Sequence, residues 1–437
     1  MRTRVWFYAL LALVATSTAL RADDWPQWMG PNRNDVWTET GIVEKLPDAG
    51  PPVKWRREVS GGYSGPAVVG DRVFVTDYVT TGDTTGDPGK RDKLEGVERV
   101  LCFRAQDGKK LWEHHYNQPY GLSYPLGPRC TPTVDGELVY ALGAEGRLSC
   151  LRATDGSLVW EKDFKQEYKT TTPFWGYASH PLVYEGKLIC VVGGEGSVAV
   201  AFDKKTGKEL WRSLSAREQG YSPPTLIRVG GKDQLLIWHA EALNGLNPRD
   251  GEVYWSQPIA ADFGMAIMGP RQSGNLLFAG AVIGKGALLK LSDSKPAAEV
   301  EYQVSPTVAL SPVNSTPIID GDYIYGVDRE GQLRCVKLAS GERLWETFKA
   351  TTGDRRVNSG TAFLVKNGDR YFLFNEQGDL IIAKLSPKGY EEISRAHILE
   401  PTAKAFGRPV VWSHPAFAQK CMFARNDKEL VCVSLAK

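Results

Sequence analysis

QDGKKLW (106–112), TDGSLVW (154–160), KTGKELW (205–211) and SGERLW (340–345) end four segments of the chain in the same way. Such a recurrence marks a repeat architecture, and the repeat decides the fold. Trp112 and Trp160 are 48 residues apart, Trp160 and Trp211 51, Trp211 and Trp255 44, and Trp255 and Trp345 90, which is two units of 45. A period of about 45 to 50 accommodates four short strands with their turns.

One register runs through each unit. In the third, Ser179-His180-Pro181 opens an apolar strand, Glu185-Gly186 turns it, 187–193 and 197–203 form the next two strands, and 208–211 begins the fourth. Alternating apolar residues bounded by Gly, Asp and Asn are the hairpin signal. Equivalent openings are Ser64-Gly65-Pro66, Thr131-Pro132, Ser222-Pro223, Gly269-Pro270, Ser315-Thr316-Pro317, Ser359-Gly360 and Ser413-His414-Pro415, eight in all with the third.

The last unit lacks its fourth strand, because the chain ends at Lys437 just after the strand at 430–435. The missing piece is PVKWRREV (52–59), which carries Trp55 where the other units carry theirs and precedes Ser64. The expected fold is therefore all-β: an eight-bladed β-propeller of four-stranded blades, closed by an N-terminal strand so that no sheet edge is left open between first and last blade. On this reading residues 51–437 form the ring and residues 23–50 an extension outside it. Truncation after Thr40 is then expected to be tolerated far better than truncation after Ser60.

Residues 1–22 read as a secretory leader, with Arg2 and Arg4, an apolar run over 5–15, and Leu20-Arg21-Ala22 before Asp23-Asp24. The run is short for a bilayer, so no membrane span is expected, and no Cys stands near the cleavage site to take a lipid. Without Arg2, Arg4 and Arg21, 50 Lys and Arg face 51 Asp and Glu, a balance that speaks against nucleic acid as partner. The expected product is periplasmic or otherwise exported, and a monomer.

Seven cysteines accompany that export. Cys102, Cys150, Cys335 and Cys432 occupy one repeat position, in VLCFRA, RLSCLRA, QLRCVKL and ELVCVSL, where a small apolar group packs between blades. Cys421 and Cys432 flank the turn at 424–428, and a hairpin centred between Asn426 and Asp427 sets their thiols opposite each other, free and in contact. No CxxC is present.

Several chemistries fail on spacing. Gly62-Tyr63-Ser64-Gly65-Pro66 has Pro where a nucleophile elbow needs Gly. Gly193-Gly194-Glu195-Gly196 precedes a strand rather than the helix of a dinucleotide site. His114-His115 follows a docking Trp on an outer strand, there is no HExxH, and Asp83, Asp87, Arg91, Asp92 and Lys93 form a polar insertion; no metal site is expected.

The strand openings converge on the central channel. They bring Tyr63, Arg129, Trp175, Tyr177, His180, Tyr221, Arg271, Asn314, Asn358, Trp412 and His414 towards it, with His239 and Glu241 of WHAEALNG close by. Aromatics with a few Arg and His in a concavity suit a small polar or anionic ligand, for which Arg129, Trp175, His180, His239, Glu241, Arg271, Asn314 and His414 are the candidate residues. The competing reading, that these residues plug a wet channel through hydrogen bonds, is the one the sequence favours.

The unit GELVYALGAEGRLSCLRATDGSLVW (136–160) resembles the repeat of pyrroloquinoline-quinone-type β-propellers. DWPQWMGPNRND (24–35), GPRCTPTVDG (127–136) and WGYASHPL (175–182) are similar to an exported bacterial branch of that family. The resemblance covers nearly all of residues 23–437. It implies one of two roles, a quinoprotein alcohol dehydrogenase with quinone and Ca²⁺ in the funnel, or a scaffold like the propeller subunit of the outer-membrane β-barrel assembly machinery. This chain has no Cys-Cys dipeptide and no Glu/Asn/Asp calcium set that maps residue by residue. The expectation is a non-catalytic interaction scaffold without cofactor, partnered by an envelope protein. A quinone dehydrogenase with bound PQQ and Ca²⁺, or a polysaccharide-binding propeller, is the alternative.

Overall fold

Eight four-stranded antiparallel sheets follow one another round a central channel. The computed structural model describes residues 23–86 and 89–437; the leader expected over 1–22 and Asp87 of the polar insertion lie outside the described residues. Blades 1 to 7 span 67–117, 133–163, 182–213, 225–257, 271–303, 318–347 and 362–397. Blade 8 combines 416–434 with the strand Val53–Glu58, which pairs antiparallel with Glu429–Ser434, Trp55 opposite Cys432. The ring is closed by an N-terminal strand, as the split unit predicts.

Each blade begins beside the channel and ends outside. The outer strands expose both neighbours of a buried Trp, as in Val53–Glu58 and Leu158–Asp163, whereas the middle strands are buried on both faces. One α-helix lies among the described residues, Phe164–Tyr168, capped by the Asp163 carboxylate, which accepts from the amides of Lys165 and Gln166.

The repeated Asp-Gly turn and Trp are one joint between neighbouring blades. Trp55, Trp112, Trp160 and Trp211 lie against Gly108, Gly156, Gly207 and Gly251 of the following blade, all at positive φ, where an added Cβ would come within 2.5 to 2.7 Å of the ring. The indole N–H of Trp55 donates to Ala105 O at 2.8 Å, that of Trp112 to Ala153 O at 3.0 Å and that of Trp160 to Lys204 O at 3.2 Å. Burying each ring stabilises its joint by roughly 2–3 kcal/mol. Across the sheet Trp112, Trp160, Trp345 and Trp55 face Cys102, Cys150, Cys335 and Cys432, with a bulge beside each pair. All seven thiols are free and buried.

One expectation needs correction. Cys421 stands opposite Ser434, and Cys432 opposite Phe423, so the hairpin is centred one residue later than the spacing suggested. Asn426 causes the shift: its side chain accepts from the amides of Lys428 and Glu429 and tightens the turn around them. The thiols are diagonal neighbours, and the Cys432 S–H with the Lys54 ammonium pulls the Cys421 thiol below its usual range.

Residues 23–43 of the extension are packed against the ring. They cross one end of the channel from blade to blade: Trp25 pairs with Val68, Pro26 O accepts from Val134 N, and Trp37 N donates to Lys366 O, while Ile42 bridges to Ala436. Trp25 and Trp37 are 1% exposed, and Trp37 packs 5.2 Å from Phe417 and 5.5 Å from Phe372. Truncation after Thr40 removes Trp25 and Trp37 from this core, so it carries a cost of its own beside the comparison with truncation after Ser60.

Candidate functional site

The strand openings tie blade to blade round the channel. Ser179 Oγ donates to Ser222 O at 3.0 Å, Ser222 Oγ to Met268 O at 2.8 Å, and Asn314 Nδ2 to Thr361 Oγ1 at 3.1 Å. The prolines that follow lack an amide, which leaves these positions to side-chain bonding. What remains inside the ring is a cavity of about 430 Å³, closed at one end by residues 23–43 and open at the other.

The floor is the N-terminal segment against blades 3, 5 and 8. Trp28 stacks on His180, centroids 4.8 Å apart and planes 8° from parallel, and its ring meets Gly269 of blade 5 closely enough that a Cβ there would sit 3.3 Å away. Arg33 donates to Pro181 O at 2.8 Å and His180 O at 3.1 Å; burial pulls its guanidinium down to about 10. Asp35 meets His414 Nε2 at 3.1 Å, and His414 Nδ1 donates to Pro415 O at 2.8 Å. Burial opposes the charged imidazole, but the Asp35 carboxylate outweighs it and raises the His414 pKa above its usual value.

His180 behaves oppositely. Its Nδ1 accepts from Thr131 N at 3.0 Å. Burial, with Arg33 and His414 nearby, holds it well below the usual histidine range and therefore neutral.

The walls are mostly aromatic and aliphatic, including Tyr63, Trp175, Tyr221, Phe363 and Trp412. Of the eight candidate residues, Arg129, Trp175, His180, Asn314 and His414 line the cavity. Arg129 has little left to offer a ligand: its guanidinium donates to Trp175 O at 2.8 Å, Ser123 O at 2.9 Å and Tyr124 O at 2.6 Å, and also to Gly127 O. Its plane lies over Tyr63 at 5.2 Å.

The other three stand outside the lining. Arg271 is spent on the N-terminal segment, donating to Arg33 O at 2.9 Å and Asn34 O at 3.3 Å. His239 Nδ1 accepts from Glu241 N and Ala242 N, and Glu241 accepts from Arg217 N, so the pair caps local turns. Tyr177 is buried, its hydroxyl on Val192 O, and Asn358 is exposed away from the cavity.

The open mouth was not legible in the strand openings. Phe263, Ile283 and Phe406 line it and are 69%, 41% and 41% exposed. Each has a positive φ, 58°, 60° and 49° respectively, a conformation that bulky side chains rarely adopt. Phe406 tips the hairpin formed by Ala403–Ala405 and Arg408–Val410, and it packs 6.3 Å from Tyr124 of the blade 1–2 connection. Arg408 holds that hairpin down through Glu376, at 2.8 and 2.9 Å.

Nothing in the lining suits a calcium-bound quinone. The cavity lining holds no carboxylate, and among the described residues no group of three or more His, Cys, Asp or Glu is placed to hold a metal ion. Hydride chemistry on a quinone needs a Lewis acid at its carbonyl, and these residues do not fit that group.

The sequence profile of a family described as outer membrane protein assembly factor BamB matches residues 96–347 and 306–437. The outer membrane protein assembly factor BamB of Yersinia pestis is 24% identical over 209 residues, 44% of this chain and 49% of that protein; the chain thus matches about half the length of its curated relatives. The crystal structure of BamB from Moraxella catarrhalis superposes with TM-score 0.54 at 15% identity, over 87% of this chain and 98% of that one. A quinohemoprotein alcohol dehydrogenase from Comamonas testosteroni gives TM-score 0.61 at 12% identity, over 95% and 81%. At such identities both structural likenesses speak for the fold alone.

Proposed function

Because this chain belongs to the outer membrane protein assembly factor BamB family, we propose that it is a non-catalytic scaffold of the cell envelope that docks a protein partner at the open mouth of its ring. One observation carries this reading: Phe263, Ile283 and Phe406 are held out at the mouth in left-handed backbone conformations. Bulky residues in such conformations cost roughly 1–2 kcal/mol each. Exposing them adds nothing to the ring's own stability, whereas a partner that covers them gains their apolar area.

The arrangement of charge favours a scaffold over a dehydrogenase. Buried acids are consumed in structural contacts: Glu376 by Arg408, Asp77 by Arg99, and Glu98 by Tyr116 and Tyr120. No helix among the described residues is long and apolar enough to cross a membrane. With the leader read from the sequence, this fits an exported protein working at the outer membrane.

A photo-crosslinking residue at Phe263 or Phe406, compared with one at Leu158 on the outer rim, tests the reading in cells. The expected result is an adduct with an outer-membrane assembly protein, identified by mass spectrometry, from the mouth positions alone. Adducts from Leu158 but not from the mouth would refute the docking surface. Alcohol oxidation by protein supplied with PQQ and Ca²⁺ would restore the dehydrogenase.

A further inference from the structure

We propose that the central cavity is a binding site for a small amphiphilic carboxylate, whose apolar body carries a neutral hydrogen-bond acceptor at its inner end and the carboxylate at its outer end. The site adjoins the docking surface, since Phe263, Ile283 and Phe406 line its open end, but its chemistry is read from other residues deeper in the ring and at Arg329.

The volume of about 430 Å³ falls in the range of small-molecule sites. Its walls suit an apolar body, with Tyr63, Trp175, Tyr221, Ile267, Phe363 and Trp412 among them. Of the lining groups that could fix orientation, most are already engaged. Arg129 serves four backbone carbonyls, His414 holds Asp35 and Pro415 O, and Asn314 donates to Thr361.

Two donors remain. Thr131 N donates to His180 Nδ1, so the ring proton of neutral His180 is on Nε2. His180 lines the cavity and stacks on Trp28, and its Nε2–H has no acceptor among the described residues. It is a fixed, uncharged donor, which prefers a carbonyl, ether or hydroxyl oxygen to an anion. Arg329 also lines the cavity, is exposed, and its guanidinium makes no hydrogen bond or ion pair among the described residues. A permanently charged fork at that end recognises a carboxylate. The lining offers no carboxylate to a cation and no second free cation to a polyanion. The chemistry therefore selects one negative charge, at one end, on an apolar body.

Calorimetry and tryptophan fluorescence on the intact protein with 6-methoxynaphthalene-2-carboxylate test the aromatic case, and 12-methoxydodecanoate the alkyl one; the better ligand tells a soluble aromatic source from a lipid-derived one. Saturable one-to-one binding is expected for at least one of them, about tenfold weaker for its methyl ester and for Arg329→Gln, an exposed change that leaves the fold alone. His180→Phe should bring the methoxy compound down to the affinity of its unsubstituted parent while leaving the parent's affinity unchanged. Absence of saturable binding by both series in folded protein overturns the proposal. So does binding that neither Arg329→Gln nor esterification weakens. Neither result bears on crosslinking at the mouth, which is read separately.

Discussion

Asp35 and His414 meet at 3.1 Å beneath the cavity, although 379 residues separate them in the chain. The contact joins the N-terminal segment to blade 8, with Arg33, Arg271 and His180 as the charged or titratable neighbours.

This pair makes stability depend on pH in a stated direction. His414 is raised above its unfolded value near 6.5 by the Asp35 carboxylate, so the pair's contribution is fully present below about pH 6.5 and is lost as pH rises through the higher folded value. Asp35→Asn is expected to cost about 3 kcal/mol at pH 5.5, in the range for breaking one side of a buried pair. Urea denaturation at pH 5.5 and 8.5 should show a deficit that shrinks with rising pH. An equal deficit at both pH values would mean that the pair carries no charge-dependent stability.

Gly108 tests the blade joint. Its added Cβ would lie 2.7 Å from the Trp55 ring, whereas at Gly136, also at positive φ, no atom lies within 4 Å. Gly136→Ala should therefore cost only the backbone term, about 1 kcal/mol, and Gly108→Ala about 2–4 kcal/mol as the indole is forced off its seat. Thermal melts of the two variants check this; matching midpoints would show that the turn glycines serve conformation and not the docking of tryptophan.

The cysteines give a third expectation. All seven are buried and unpaired, so native protein should resist alkylation, and seven sites should react in denaturant without reductant. A disulfide-linked peptide containing Cys421 and Cys432 in unreduced digests would contradict the thiol contact described for blade 8.

The number of blades and the split closure were legible because each depends on local chemistry repeated at a period: a Gly turn, a Trp, a Ser-x-Pro opening. Trp55 could be assigned to blade 8 for the same reason. The site was legible only in part. Lining positions such as His180 and Trp412 follow from the repeat register, but whether a donor is free does not. Arg129 is spent on carbonyls 2 to 46 residues away, and Arg271 on a segment 237 to 238 residues away. Such partners leave no periodic trace. Phe263, Ile283 and Phe406 sit in connections and turns, where a positive φ on a bulky residue has no sequence signature. Arg329 and Trp28 were missed likewise, although Trp28 stands in the WPQW of the quoted 24–35 stretch.

The pairing of Val53–Glu58 with Glu429–Ser434 sets the order in which the molecule is completed. A chain emerging N-terminus first presents residues 53–58 long before their partner strand exists. Joining ends so far apart carries a loop-closure cost of about 5 kcal/mol if the intervening chain is unstructured, and much less once seven blades have already curved round to bring them together. Closing the ring is thus expected to follow the assembly of the other blades. Until the last residues arrive, the first-made strand is an unmated edge, open to whatever chaperone or stray chain reaches it before its own C-terminus does.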